Sequence, residues 1–134
     1  MKKLFILIIC LLPFMGSYAQ NTLEIQITGI RNTRGEILLQ LYNDQHEILS
    51  QHKGKIEGDK CYIKIENLKP GKYAVRYFHD ENLSQKLEVS MIGIPKEGFG
   101  YSNNAAPKIG PPSFDKWIFD LNGNKKLELK ITYL

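Results

Sequence analysis

The sequence is poor in cysteine: its 134 residues hold two, Cys10 and Cys61. Cys10 lies inside an apolar leader, so Cys61 stands alone in the mature chain and no internal disulfide can form. Strong charge of one sign is lacking too. The formal net charge is +4, and it falls to +2 when Lys2 and Lys3 leave with the leader. A balance so small and so dispersed does not point to nucleic acid or to an anionic membrane. No second apolar run follows the leader, so no transmembrane segment is expected in the mature chain. Apolar residues at helical spacing are missing as well. Only Asp44 to His52 leaves room for one helical turn.

What is present begins with the leader. Met1-Lys2-Lys3 is a short basic start, Leu4 to Met15 is almost wholly apolar, and Gly16-Ser17-Tyr18-Ala19 supplies small residues before a cleavage point after Ala19. That is the layout of a secretory signal peptide. The apolar run is short and contains Pro13, which does not suit a permanent membrane helix. Ile8-Ile9 before Cys10 lacks the small residues of a lipoprotein signal. Residues 1–19 therefore read as a signal peptide and residues 20–134 as a single exported domain. Its destination is the periplasm or the cell exterior.

Six alternating runs follow, the signature of half-buried strands. Leu23, Ile25 and Ile27 share one face of the first. Ile37, Leu39 and Leu41 do so in the second, and Cys61, Ile63 and Ile65 in the third. Tyr73, Val75 and Tyr77 form the fourth, Trp117, Phe119 and Leu121 the fifth, and Leu127, Leu129, Ile131 and Tyr133 the sixth. Asn122-Gly123-Asn124 reads as a hairpin turn between the last two. Short strands near Lys55 or Leu87 to Ser90 are compatible with the pattern. Strands with one apolar face and no crossover helices predict an all-β antiparallel sandwich of about seven strands. Leu68-Lys69-Pro70-Gly71-Lys72-Tyr73 places a tyrosine after a tight turn. A tyrosine corner of this kind suits a transthyretin-like or immunoglobulin-like sandwich. Gly93 to Ser113, rich in Gly and Pro, has no period and is expected to be a long functional loop.

The candidate chemistry lies in HDENLSQKLE, His79 to Glu88. Asp80, Asn82, Ser84 and Glu88 fall at the first, third, fifth and ninth positions of a calcium loop, with the Lys86 carbonyl at the seventh. Calcium takes six to eight hard oxygens, so alternating oxygen-bearing side chains make chemical sense. The sixth position, normally glycine, is Gln85, and the twelfth, normally a bidentate Glu, is Met91. The competing reading is a solvated turn in which Asp80 and Asn82 bond local backbone. His79 without a paired nucleophile reads as structural more readily than catalytic. His46 and His52 lie six apart, which puts them on different sides of a helix and not on a zinc face. Phe99 and Tyr101 are either loop anchors or a ligand platform.

His79-Asp80-Glu81-Asn82, then LxVxxIGIPKEGFGYSNN from Leu87 to Asn104, then GPPSF from Gly110 to Phe114, resembles the bacterial domain-of-unknown-function family 2141. The resemblance runs from Leu23 to Tyr133. It implies a small exported β-sandwich of Gram-negative bacteria with no established activity. The family's loop typically reads DENxNGKLD, so Ser84-Gln85 replaces an Asn-Gly pair and Glu88 an Asp. The resemblance implies descent from a cation site, and the departures leave a calcium loop and a polar turn both open. Glu97, Asn103 or Asn104 would complete coordination if the following stretch packs beside Asp80.

The expected function is a non-enzymatic binding or structural module. Its working surface is the loop of His79 plus residues 92–113, with Glu97, Phe99, Tyr101, Asn103 and Asn104 in that surface. No cofactor is required, calcium is the one candidate, and the partner is a protein or a glycan. The alternative is a small exported hydrolase using His79 and Asp80.

Overall fold

The structure is a computed structural model that describes residues 20–134. The signal-peptide reading of Met1 to Ala19 lies outside the described residues. Nine strands form among the described residues: β1 (Asn21–Thr28), β2 (Glu36–Asn43), β3 (Ile48–Gly54), β4 (Ile56–Glu57), β5 (Lys60–Leu68), β6 (Gly71–Asp80), β7 (Phe99–Tyr101), β8 (Ile118–Leu121) and β9 (Lys125–Lys130). One sheet runs β4-β5-β1-β9. The other runs β3-β2-β6-β7, with β8 also paired to β6. None of the described helices is long and apolar enough to cross a membrane.

The alternation explains the packing. The inward residues of β1, β2, β5 and β6, from Leu23 to Tyr77, meet in one core with Phe119, Leu121, Leu129 and Ile131. Leu23, Ile25, Ile27, Ile37, Leu39, Val75, Tyr77 and Leu121 are fully excluded from water. Each large apolar side chain so buried stabilises the fold by about 1.5–3 kcal/mol before its ordering entropy is counted. The tyrosine corner is formed: the Tyr73 hydroxyl donates to the Lys69 carbonyl at 2.7 Å.

Four expectations change. β9 pairs with β1 in parallel, so the sandwich is mixed and not wholly antiparallel. Asn122-Gly123-Asn124 is not a hairpin turn, because β8 joins β6 while β9 joins β1 in the opposite sheet. The Asn124 side chain holds that corner by accepting from Thr22 N–H at 2.9 Å. Asp44 to His52 forms a turn and the edge strand β3, which pairs with β2, in place of a helical turn. Trp117 precedes β8 and closes a short 3₁₀ turn, Phe114–Lys116. Its indole sits in a second apolar cluster with Tyr42, Ala74, Phe99 and Tyr101. The pattern gave the face of each strand, but alternation carries no information about which strand lies alongside.

Candidate functional site

β7 and β8 lie end to end along one edge of β6. Arg76, Tyr77 and Phe78 pair with Tyr101, Gly100 and Phe99, and Gly71 to Ala74 pair with Leu121 to Ile118. Between them, opposite Val75, the ladder is broken and residues 102–117 leave the sheet. Fully buried Ser102 repairs the break. Its hydroxyl accepts from Val75 N–H at 3.0 Å and donates to the Trp117 carbonyl. Asn103 and Asn104 follow with φ of 60° and 48°, the left-handed region that Asn tolerates better than most residues. The Asn103 amide donates to the carbonyls of Lys116 and Ile118 at 3.1 and 2.8 Å. Asn104 accepts from Lys130 N–H at 2.9 Å and donates to the Glu128 carbonyl, covering the outer edge of β9.

Close packing sets the residues before Ser102 as well. A side chain at Gly98 would run into the Tyr133 ring, and one at Gly100 into the Tyr77 ring. Phe99 and Tyr101 turn outward into the aromatic cluster and are almost fully buried there. Across the strand, Phe99 exchanges both backbone hydrogen bonds with Thr132, at 2.9 and 2.8 Å. β7 thus ties the C-terminal segment to the second sheet.

The other loop, between β6 and β7, is held by carboxylates. Asp80 is fully buried. One of its oxygens accepts from Ser84 N–H at 3.0 Å and lies 3.3 Å from Ser84 Oγ, and the other accepts from Gln85 N–H at 2.8 Å. Glu97, 5% exposed, accepts from Glu81 N–H at 2.8 Å and Glu88 N–H at 3.3 Å. The Asn82 amide lies against the Glu88 carboxylate, and Ser84 Oγ donates to the Lys86 carbonyl at 3.0 Å. Gln85 adopts φ of 63°, the conformation that the usual glycine of a calcium loop would supply.

His79 is fully buried, with Nε2 2.6 Å from the Arg34 carbonyl and Nδ1 2.8 Å from the Tyr133 hydroxyl. A carbonyl only accepts, so Nε2 carries the hydrogen. Tyr133 accepts from Arg31 N–H at 3.1 Å and so can donate to Nδ1. Glu81 bridges Arg31 and Arg34 at 2.6 and 3.2 Å beside this chain. Burial raises the Tyr133 phenol, while its bond and proximity to Arg31 pull it down.

The loop tips are apolar and open. Met91, Ile92, Val89 and Leu83 are exposed in the first loop, and Ile109 in the second. The structure therefore brings Asp80, Asn82, Ser84, Glu88 and Glu97 together. Asn103 and Asn104 are bonded elsewhere, to the backbone of the second loop, β8 and β9. No group of three or more His, Cys, Asp or Glu side chains is arranged to hold a metal among the described residues. Sequence reasoning missed Arg31, Arg34 and Tyr133 around His79, and Ser102 at the ladder break. Only the unbroken YSNN wording hinted at the latter.

These features define a class: a small two-sheet β-sandwich with two long, internally bonded loops issuing from the edge of one sheet. Residues 25–130 match the family described as uncharacterized protein conserved in bacteria (DUF2141), and the chain belongs to it. No curated protein and no solved structure matches the chain.

Proposed function

We infer that the protein is an exported, non-enzymatic binding module on a transthyretin-like or immunoglobulin-like scaffold. Its working surface is the pair of loops at 79–98 and 102–117, and its partner is a protein or a glycan. Export rests on the leader at Met1 to Ala19. The observation that carries the reading is the first loop, whose ends are fixed by buried Asp80 and Glu97 while Met91 and Ile92 at its tip are 106% and 80% exposed. Rigidly footed loops with open apolar tips suit recognition.

The engagement of both His79 nitrogens, by the Tyr133 hydroxyl and the Arg34 carbonyl, supports a module over a hydrolase. A catalytic pair needs a lone pair or proton facing a substrate.

The cation loop belongs to the same reading. Asp80, Asn82, Ser84, Glu88 and the Lys86 carbonyl form an all-oxygen donor set that fits a hard cation such as calcium. Water would fill the place that Met91 does not. A thermal melt in chelator, calcium and magnesium tests it. Calcium at about 100 times its dissociation constant adds about 2.7 kcal/mol to the native state. That raises the midpoint by roughly ten degrees, and Asp80→Ala abolishes the shift. A midpoint indifferent to both ions would leave the loop a polar turn.

A further inference from the structure

The outer face of the second sheet carries a groove beneath the first loop. On β6 the residues between core-facing Val75 and Tyr77, and just after, are Arg76 and Phe78, so both turn outward. A cavity of about 180 Å³ lies over them, with Gln40 beside it, Phe99 and Tyr101 as one wall, and Gln85 to Leu87 as the roof. A second cavity of about 130 Å³ shares Gln40, Phe78 and Gln85 and extends toward Gln51 and Lys53 on β3. No acidic residue lines either one. Arg76 and Lys86 have no carboxylate within ion-pair distance among the described residues. Arg76 is instead steered by one bond, donating to Gln40 Oε1 at 2.8 Å. That oxygen also accepts from the Tyr42 hydroxyl at 2.8 Å, so it is held in place from both sides.

We propose that this groove binds a compact carboxylate-bearing ligand, with the carboxylate between Arg76 and Lys86 and an apolar face against Phe78 and Tyr101. A planar guanidinium matches a carboxylate with two parallel hydrogen bonds. A mostly apolar pocket with a few convergent polar groups is the usual form of a small-molecule site. An aromatic acid and a uronic acid share this chemistry. The inference rests on the reading of the first loop as the working element, because that loop supplies the roof. Ordering of Asp80 to Glu88 would then set the height of the groove.

The test is an amide-shift titration of the protein with benzoate and with glucuronate, against benzyl alcohol and glucose at matched ionic strength. Carboxylates are expected to bind with dissociation constants of about 1 mM, shifting Gln85, Lys86, Leu87 and Tyr101. A response to benzoate alone or to glucuronate alone tells the two sources apart. Arg76→Ala weakens binding at least about tenfold and Lys86→Ala a few-fold. Both side chains are exposed, so the fold survives the change, and an unaltered Trp117 signal checks this. Equal shifts with the neutral analogues, unchanged affinity in Arg76→Ala, or no shift by about 20 mM carboxylate would each overturn the proposal. If carboxylates fail while calcium still raises the melting midpoint, this inference falls and the module reading stands. If calcium also fails, the cation site of that reading falls as well and the first loop is a polar turn.

Discussion

The two loops leave the same edge of the same sheet, yet they are stitched by opposite chemistry. The β6–β7 loop is held by two buried carboxylates that gather backbone N–H groups: Asp80 takes those of Ser84 and Gln85, and Glu97 those of Glu81 and Glu88. The β7–β8 loop is held by a hydroxyl and two amides, which donate to the carbonyls of Lys116, Trp117, Ile118 and Glu128 and accept from Val75 N–H and Lys130 N–H. Charged acceptors make stronger hydrogen bonds, and their oxygens can be shared with a cation. Neutral groups make a seam that responds to neither cation nor proton. On the proposed cation site, the order of the first loop would follow the ion, while that of the second would not.

The largest expected effect is at Asp80. Asp80→Ala removes a fully buried carboxylate that accepts from Ser84 N–H and Gln85 N–H in two part-buried bonds. It should cost about 3 kcal/mol in a denaturant titration. Ser102→Ala is the matching cut in the second loop. Val75 N–H and the Trp117 carbonyl lose their partner at the ladder break, for about 2 kcal/mol. The contrast sharpens if calcium alters the stability of Ser102→Ala and not that of Asp80→Ala. It breaks if both variants respond alike.

Glu97→Gln should cost less, about 1 kcal/mol, because one acceptor oxygen remains. Its effect is expected to be local. Protease should cut more readily between Val89 and Ile94, while the core stays closed. Cys61 reports the core: it is 1% exposed, and burial, then Glu57, push its thiol up to about 11. At pH 8 it is a hidden thiol and not the reactive thiolate. Faster cutting with unchanged Cys61 labelling marks the loop as a separate opening unit. Labelling that accelerates in step would make loop and core one unit.

The strands were legible because Ile25, Leu39, Ile63 and Val75 each declare a face by alternation. Their partners were not. Nothing in LELKI announces that β9 lies parallel to β1, and Asn122-Gly123-Asn124 looks the same in a hairpin and at a corner between sheets. The site was legible in part. Asp80, Asn82, Ser84 and Glu88 were singled out by oxygen spacing, and hydrogen bonds link them around the turn. The role of Glu97 was half visible, since it reaches the loop, but through backbone N–H groups. Asn103 and Asn104 were misplaced because an exposed asparagine in a loop looks free for a partner, whereas left-handed backbone turns both amides onto strand edges. His79 hid for a similar reason: one-dimensional spacing does not show Arg31, Arg34 and Tyr133 closing around it.

The smallest effect belongs to a region outside both loops. His52 on the edge strand β3 accepts or donates to Ser50 Oγ at 2.8 Å, and burial lowers it from the ordinary value of 6.5. The folded state therefore takes up this proton less readily than the unfolded chain does. Stability from this source is full above pH 6.5 and declines as the pH falls through that value toward the lower folded one. Comparing denaturation midpoints at pH 7.5 and 5.5 should show a small drop that His52→Gln removes. If the drop persists in His52→Gln, the proton is acting elsewhere.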